Sequence, residues 1–227
     1  RHPRDSFILA SKFPTFLMPK EDQADKILDE QLEKCGVEYF DFYLLHNLNR
    51  YLYKTEVADA RLFEHMKKWK EEGKIRHIAF SYHDDAEHLD QILSEHPEVE
   101  AVQIALNYYD WDEPFIQAKK CYEVIRKHGV KVIVMEPVKG GSLASLPAEA
   151  LEVLNSLNGG SPASYALRFA AGFEGIRMVL SGMSSMEQME DNLSFMKEFK
   201  PLSRQEMDAI DKVRDIFNSK HLIQCTA

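Results

Sequence analysis

The sequence has few cysteines, no excess of positive charge and no long apolar run, and each shortage excludes a class of protein. The three cysteines, Cys35, Cys121 and Cys225, show no close spacing, which predicts reduced thiols and a cytoplasmic location rather than a disulfide framework. A net charge of −9 argues against a nucleic-acid partner, because binding to a phosphate backbone needs a basic face. Without an apolar run of membrane-spanning length, we expect no membrane partner either.

The chain instead alternates short apolar stretches with amphipathic helical stretches. The six predicted strands span residues 7–12, 41–46, 75–80, 101–106, 130–135 and 176–180. Helices are predicted at residues 21–34, 59–72, 113–128, 147–155, 162–171 and 203–218, with one more ending near 199 and an irregular loop at 47–58. Parallel strands joined by right-handed crossovers end at one edge, so we expect their polar end residues to face a common site. These residues are Lys12, His46, Ser81, Asn107, Glu136 and Ser181.

Two architectures fit this alternation, an open doubly wound sheet and a closed barrel. An open sheet that binds dinucleotides has a glycine fingerprint in its first strand-to-helix turn, but the turn after Lys12 contains no glycine. A barrel commonly holds phosphate on the loops after its last two strands, and those loops contain Gly140, Gly141 and Gly182. The sequence therefore favours an α/β fold of the TIM (β/α)8 barrel type.

Six strand-end motifs occur in an order and spacing that span residues 7–200. They are LASK at 9–12, DFYLLH at 41–46, GKIRHIAFS at 73–81, VQIALN at 102–107, MEP at 135–137 with Gly140 and Gly141, and LSGMS at 180–184, followed by Glu187 and Asn192. In combination these motifs resemble those of the aldo-keto reductases. The resemblance implies an eight-stranded barrel, of which residues 1–200 would form about six strand-helix units and lack the first two. Residues 201–227 would form a C-terminal helix and the start of a tail.

The resemblance also implies an enzyme that reduces an aldehyde or ketone, its small carbonyl substrate, by hydride transfer from NADP(H) or NAD(H). Lys12 matches the family's catalytic lysine, whose ammonium lowers the pKa of a tyrosine acid. His46 matches the histidine that hydrogen-bonds the substrate carbonyl and orients it. Ser81 and Gln103 match the residues that hold the carboxamide of the nicotinamide.

Two loops and one helix match the rest of the family's cofactor site. The residues are Glu136 at a position beside the nicotinamide, Pro137, Val138, Gly140, Gly141, Ser181, Gly182, Met183 and Ser184 at the pyrophosphate and ribose, and Gln188 and Asn192 at the adenosine end. Three positions depart from the family pattern, since Tyr82 replaces an asparagine, Glu136 an aromatic residue and Gln188 an arginine. An amide makes no charge-assisted bond to a phosphate, so the choice between the two cofactors is open.

Two features of the resemblance point beyond this sequence. The family's tyrosine acid and its partnering aspartate match no residue from position 1 onward, so we expect the 227 residues to be part of a longer polypeptide. Residues 221–227 resemble the start of a cysteine-rich tail that binds a [4Fe-4S] cluster in one bacterial and archaeal branch, with Cys225 as the first ligand. Such a cluster needs four thiolates, so this iron-sulfur site, and any redox partner that it implies, would belong to the longer protein.

Two other functions remain compatible with the sequence, a different enzyme class and a non-catalytic protein. A strand-end lysine such as Lys12 is also typical of a Schiff-base aldolase, in which the amine attacks a substrate carbonyl. A non-catalytic barrel could retain the nicotinamide site as a sensor or scaffold, an interpretation that Tyr82 and Glu136 favour. Taken singly, Lys12 could simply reach solvent and Gln103 could pair with the backbone.

Overall fold

The computed structural model describes residues 2–17, 20–157 and 159–219. In this part of the chain, six strands alternate with helices, as predicted, and lie in one sheet in the order β1 to β6. The strands are Ala10–Phe13 (β1), Phe40–Leu48 (β2), Ile75–Tyr82 (β3), Ala101–Ala105 (β4), Lys131–Met135 (β5) and Ile176–Val179 (β6). The pairs β1–β2, β2–β3 and β3–β4 are parallel.

The helices of the described residues lie in the connections between these strands and after the last strand. They are Ala24–Cys35 (α1), Arg50–Leu52 (α2), Leu62–Glu71 (α3), Ala86–Glu95 (α4), Ala118–Lys127 (α5), Ala148–Asn155 (α6), Pro162–Ala171 (α7), Met186–Met196 (α8) and Arg204–Ser219 (α9). Short 3-10 turns lie at Arg4–Ser6, Thr15–Leu17, Glu21–Gln23 and Lys139–Gly141, and a π-helical turn lies at Tyr53–Val57. Two helix ends have the residues typical of such positions. Gly36 ends α1 with a φ of 63°, and Ser161 caps α7 ahead of Pro162.

The described residues fall into two compact units. The first comprises the residues up to 104 together with 115–133, and the second comprises 105–114 with the residues from 134 onward. The first unit contains β1, β2, β3 and the helices α1 to α5, and the second contains β6 and the helices α6 to α9. The predicted division into residues 1–200 and 201–227 is a different partition and stays a prediction.

The first unit packs around β2, whose residues from Phe40 to Leu45 are all buried. Burial on both faces is what a parallel strand covered by helices requires, and it explains the near-continuous apolar sequence. The indole of Trp69 lies between Phe13 and Tyr43, with ring centroids 6.0 Å and 5.8 Å apart. The Trp69 Nε1–H donates to Asp25 Oδ1 at 2.7 Å, which joins α3 to α1.

In the second unit an ion pair joins two helices. Arg168 of α7 pairs with Glu206 of α9 through two bonds, at 2.8 Å and 3.1 Å. Glu206 also accepts the Ser203 N–H at 2.8 Å, and the Ser203 hydroxyl accepts the Glu206 N–H at 3.3 Å. These reciprocal bonds form a capping box at the start of this helix.

Three predicted boundaries are wrong, each for a local reason. In place of an irregular loop at 47–58, residues 47 and 48 continue β2 and residues 50–58 form helical turns, which the Asn49 side chain caps by accepting the Leu52 N–H at 3.0 Å. Strand β1 begins at Ala10 rather than residue 7, since the Leu9 N–H is taken by the Asp41 carboxylate at 2.8 Å. Helix α5 begins at residue 118 rather than 113, because Gln117 adopts a left-handed conformation with a φ of 52°.

Among the described helices, none is both long enough and apolar enough to cross a bilayer.

Candidate active site

Lys12 and His46 project from the same face of two neighbouring strands. Lys12 on β1 is the register partner of Leu44 on β2, and His46 follows Leu44 by two residues. Side chains alternate between the faces of a strand, so residues two apart share a face, as do register partners on adjacent strands. The structure therefore brings the amine and the imidazole together at the carboxyl ends of β1 and β2.

Both Lys12 and His46 have lowered pKa values, and the charge of Lys12 acts on the imidazole of His46. Burial lowers the pKa of Lys12. The pKa of His46 is also lowered, first by burial and then by the positive charges of Lys12 and His83. Because an unperturbed imidazole titrates near a pKa of about 6.5, a lowered pKa leaves His46 neutral at pH 7. A neutral imidazole keeps one N–H that can donate to a carbonyl oxygen.

His83 is a residue of this site that sequence reasoning missed. It follows Ser81 by two positions at the end of β3, and its N–H donates to the Leu48 carbonyl at 2.9 Å. Burial and the charge of Lys12 lower its pKa. The available signal was its spacing of two residues from Ser81, because residues two apart along a strand share a face.

The backbone around His46 is held by three contacts. The Thr15 hydroxyl donates to the His46 carbonyl, and the Phe16 ring meets the imidazole edge-on with centroids 5.4 Å apart. The next residue, Asn47, has a left-handed backbone with a φ of 64°, and its N–H donates to Ser81 Oγ at 2.8 Å. This link ties the end of β2 to the end of β3, so the position of His46 depends on Ser81 as well as on its own strand.

Ser81 and Gln103 are register partners on β3 and β4, and both are buried. Ser81 lies two residues after Ala79, which pairs with Leu44 of β2. By the same alternation, Ser81 and Gln103 share the face that carries Lys12 and His46. The first unit thus places these four predicted site residues on one face of the sheet.

The second unit contains a cavity of about 600 Å³. Its described lining residues are Met135, Glu136, Pro137, Val138, Gly140, Gly141, Ala144, Ala163, Leu180, Ser181, Gly182, Met183, Gln188, Asp191 and Asn192. Ten of the eleven cofactor residues that the sequence predicts in this unit are among them, Ser184 being the exception. The volume is within the range of small-molecule sites, about 300–1,000 Å³.

The loop on one side of this cavity has an unusual backbone. Glu136, Lys139, Gly140 and Gly141 all have positive φ, at 55°, 47°, 61° and 95°. Non-glycine residues adopt this conformation only when their surroundings hold them there. The two glycines adopt it freely, and a Cβ added to either would meet no atom within 4 Å, so the backbone is open to close approach by a ligand.

A buried polar network, which sequence reasoning missed, holds this loop. Lys139 Nζ binds both oxygens of Asp110, at 2.7 Å and 2.9 Å. The Asn107 amide donates to Asp110 Oδ2 at 2.8 Å and to the Glu136 carbonyl at 3.1 Å. Asp110 is only 2% exposed, so its charge depends on the lysine for compensation. No periodicity predicts this pairing, because the lysine and the aspartate are 29 residues apart.

The loop on the other side leads into α8. Ser185 caps the helix by accepting the Gln188 N–H at 3.3 Å, and Gln188 Oε1 accepts the Ser184 N–H at 2.8 Å. The Asn192 amide donates to Ser181 Oγ at 3.0 Å, and Asn192 is buried. These bonds use several of the predicted cofactor residues to shape the loop itself.

A model of the aldo/keto reductase family matches residues 1–215 of this sequence. The chain belongs to the aldo/keto reductase family. A curated relative named aldo-keto reductase, from Mycolicibacterium vanbaalenii, is 28% identical over 211 residues, which cover 92% of this chain and 69% of that protein.

Solved structures of other aldo-keto reductases share the fold of this reductase. The holo form of a Bacillus halodurans enzyme superposes with a TM-score of 0.70 at 20% identity, over 92% of this chain and 73% of that one. A Klebsiella pneumoniae enzyme in complex with NADPH superposes with a TM-score of 0.73 at 19% identity, over 94% and 72%. The predicted family and the predicted fold class, an α/β fold of the aldo-keto reductase barrel type, are therefore confirmed.

The iron-sulfur prediction has no counterpart in the described residues. Cys225, the predicted first cluster ligand, lies outside them. Among the residues that the structure describes, no group of three or more His, Cys, Asp or Glu side chains is arranged to hold a metal ion. The roles of individual residues in this reductase, from Lys12 to Asn192, also stay predictions.

Proposed function

We propose that this protein reduces an aldehyde or ketone by hydride transfer from a nicotinamide cofactor, NADP(H) or NAD(H). The observation that carries the proposal is the placement of Lys12 and His46 on one face at neighbouring strand ends, with the charge of one acting on the other. Carbonyl reduction needs a group that orients the carbonyl and a positive charge where the alkoxide develops. An imidazole and an ammonium side by side provide both.

His46 orients the carbonyl in this proposal. Its lowered pKa keeps the ring neutral at pH 7, so the ring can donate an N–H to the substrate oxygen without itself becoming an acid. The bond between Asn47 and Ser81 and the edge contact with Phe16 hold the ring in place. Holding a reacting carbonyl in a fixed geometry removes part of the entropic barrier to hydride transfer.

Lys12 supplies the positive charge. In this proposal the ammonium lowers the pKa of the tyrosine acid that the family resemblance implies, and that acid would protonate the alkoxide formed by hydride transfer. Two buried tyrosines of the same unit are not assigned as that donor, because their hydroxyls point to other partners. Tyr43 donates to Gln31 Oε1 at 3.0 Å, and Tyr82 donates to the Asp85 carbonyl at 2.7 Å.

The cofactor would supply the hydride. Ser81 and Gln103 would hold its carboxamide, and the loops that contain Gly140, Gly141 and Gly182 would hold its phosphates. The open backbone at Gly140, Gly141 and Gly182 fits a phosphate group, which needs close approach to the main chain. The structural relative solved with NADPH is consistent with this assignment.

The test is the consumption of reduced cofactor by the purified full-length protein with a panel of aldehydes and ketones. His46→Gln should lower kcat/KM by about 100-fold, the typical loss of one polarising donor. His77→Gln serves as the control, because His77 is a histidine of the same unit that pairs with Glu100 at 2.7 Å and lies earlier on β3. A wild-type protein that oxidises neither NADH nor NADPH with any carbonyl would refute the proposal and favour a sensor or scaffold.

The aldolase alternative has one observation in its favour, the lowered pKa of Lys12, because a lysine needs its neutral form to attack a carbonyl. Borohydride treatment in the presence of the carbonyl panel separates the two chemistries. A reductase leaves the mass of the protein unchanged, whereas a Schiff base at Lys12 adds the reduced substrate to it.

The [4Fe-4S] cluster at Cys225, a redox partner and a cytoplasmic location remain predictions. Iron and sulfide analysis of the full-length protein, purified without air, tests the first of these. About four irons per chain would support the cluster. Protein without iron would remove both the cluster and the redox partner.

A further inference from the structure

His83 is a histidine of the first unit that has no role in the proposed function. It follows the last residue of β3, and its N–H donates to the Leu48 carbonyl at 2.9 Å. Because Leu48 comes two residues after His46, this bond fixes the His83 backbone beside the end of β2. The side chain is exposed, and within the described part of the chain no group hydrogen-bonds its ring. A ligand can therefore reach the imidazole.

Most other histidines of this unit are paired. Apart from His46 and from His2, at the start of the described residues, each ring nitrogen pairs with a carboxylate or amide oxygen at 3.4 Å or closer. The pairs are His65 with Asp25, His77 with Glu100, His88 with Gln91, His96 with Glu98 and His128 with Asp90. Neither His46 nor His83 has such a partner among the described residues. Both lie at strand ends, where an unpaired ring nitrogen is available to a ligand.

The surroundings of His83 are positively charged. Its pKa is lowered by partial desolvation of the ring and then by the charge of Lys12. His83 in turn contributes to the lowered pKa of His46. These mutual effects place the ammonium and the two imidazoles within electrostatic reach of one another. An anion bound among them would replace this repulsion with attraction.

The two acidic residues that follow His83 are bound to other groups. Asp84 Oδ2 accepts the Arg50 backbone N–H at 2.7 Å, and Asp85 Oδ2 accepts from the Arg50 guanidinium at 2.7 Å. The other oxygen of Asp85 caps α4 by accepting the His88 N–H at 2.8 Å. A carboxylate at the ring would raise the pKa of His83, whereas that pKa is lowered.

We propose that His83 is a substrate-binding residue that holds a carboxylate of the carbonyl substrate, which makes 2-oxo acids the preferred substrate class. The inference rests on the proposed function, since it names the substrate of the same site. Adjacent strands are about 4.8 Å apart, so a carboxylate on the carbonyl carbon reaches the end of β3 while the carbonyl lies at His46. The carboxylate accepts a charge-assisted hydrogen bond from the His83 ring. The reduced nicotinamide ring is uncharged and offers no such compensation.

Calorimetric titration of the full-length protein with oxamate, in the presence of reduced cofactor, tests this contact without turnover. Oxamate keeps the carboxylate of a 2-oxo acid but has an amide carbonyl, which resists hydride. We expect oxamate to bind, and His83→Gln to weaken its binding about tenfold, the value of one charged hydrogen bond. Its neutral ethyl ester should bind weakly to both proteins. His83→Arg retains a cationic donor and should restore oxamate binding to within about threefold of the wild type.

Steady-state kinetics with benzoylformate and its methyl ester give the matching comparison, because the two compounds differ in the charge of the carboxyl group. His83→Gln should raise KM for the acid about tenfold with little change in kcat, since it removes a binding contact. The ester should keep its kcat/KM within about threefold. His77→Gln is the matched control, because His77 is paired with Glu100 at 2.7 Å, and it should leave both substrates unchanged.

Two results overturn the inference while the proposed function stands. One is reduction of carbonyl compounds by a protein that does not bind oxamate. The other is an equal loss for acid and ester in His83→Gln. A full-length protein that reduces no carbonyl compound fails the proposed function, and the inference fails with it.

Discussion

The two units of this reductase differ in what holds their candidate functional residues in place. In the first unit, the candidate catalytic residues Lys12 and His46 lie on neighbouring parallel strands; burial lowers the pKa of both, and the charge of Lys12 lowers the pKa of His46 further. In the second unit, the cavity is shaped by backbone, with Glu136, Lys139 and Gly140 in the left-handed conformation. Changes in the first unit should therefore alter the rate of reaction, and changes in the second should alter the affinity for cofactor.

Replacing Lys12 with Met gives the largest expected effect. Loss of the ammonium should lower kcat about 1,000-fold, which is within the range for groups that assist proton transfer. The dissociation constant of the cofactor should change less than about threefold, because the proposal assigns Lys12 to the carbonyl rather than to the cofactor. Steady-state kinetics and calorimetric titration measure the two quantities. Lys26→Met is the control, since the Lys26 side chain is 78% exposed and pairs only loosely with Glu30, at 3.9 Å.

Replacing Asp110 with Asn should give the next largest effect, in the second unit. The change leaves Lys139 without its buried counter-charge and should lower the free energy of unfolding by about 2 kcal/mol, less than for a fully buried pair because Lys139 is 25% exposed. Cofactor affinity should fall about tenfold as the loop loses its anchor, while kcat at saturating cofactor stays near the wild-type value. Urea unfolding measures the free energy, and calorimetric titration measures the cofactor affinity. A loss confined to kcat would contradict the expectation that changes in the second unit alter cofactor affinity.

Gly140→Ala should have a smaller effect of the same kind. A Cβ at a φ of 61° costs about 1 kcal/mol in backbone strain, although space around it is open. Relaxation of the loop should weaken cofactor binding about fivefold. Gly129→Ala is the matched control, because Gly129 has a φ of 71°, also has open space, and lies after α5 in the first unit. It should cost similar stability without changing cofactor affinity.

Asp25→Asn should give the smallest effect and a pH signature. Asp25 has a pKa lowered to about 2, chiefly by the bond from Lys68, against 3.8 for the free carboxyl. A depressed folded-state pKa stabilises the fold above about pH 4, and this contribution is lost as pH falls toward 2. The variant should lose about 1 kcal/mol at pH 7, a modest value because the pair is exposed. Urea titrations at pH 7, 5 and 3 should show the difference narrowing at the lowest pH, and an unchanged gap would contradict this assignment.

The sequence could predict the first unit well because its site residues follow regular strands. Apolar stretches mark the strands, and a polar residue at the end of each marks the edge where Lys12, His46 and Ser81 meet. The same logic could not identify the role of the bond between Asn47 and Ser81, because a left-handed residue at a strand end has no periodic signature. The position of His83 was predictable, since His83 follows Ser81 by two residues at the end of β3.

In the second unit, the sequence could predict which residues line the cavity but not the bonds that hold its loops. Glycines at 140, 141 and 182 and the residues around them were predicted as the cofactor loops, and most of them line the cavity. The pairing of Lys139 with Asp110 was not predictable, because it depends on how two loops fold toward each other rather than on any local pattern. The bond from the Ser184 N–H to Gln188 Oε1 was not predictable either, although both residues were predicted as cofactor contacts.

The central claim is that changes in the first unit alter the reaction rate and changes in the second alter cofactor affinity. The most direct test is single-turnover hydride transfer, measured by stopped-flow absorbance of the reduced nicotinamide in the wild type, Lys12→Met and Gly140→Ala. With enzyme and cofactor premixed at saturation, the account predicts that Lys12→Met slows the transfer by at least about 100-fold, whereas Gly140→Ala transfers at nearly the wild-type rate and shows only weaker cofactor binding. Slow transfer in both variants, or normal transfer in Lys12→Met, would contradict it.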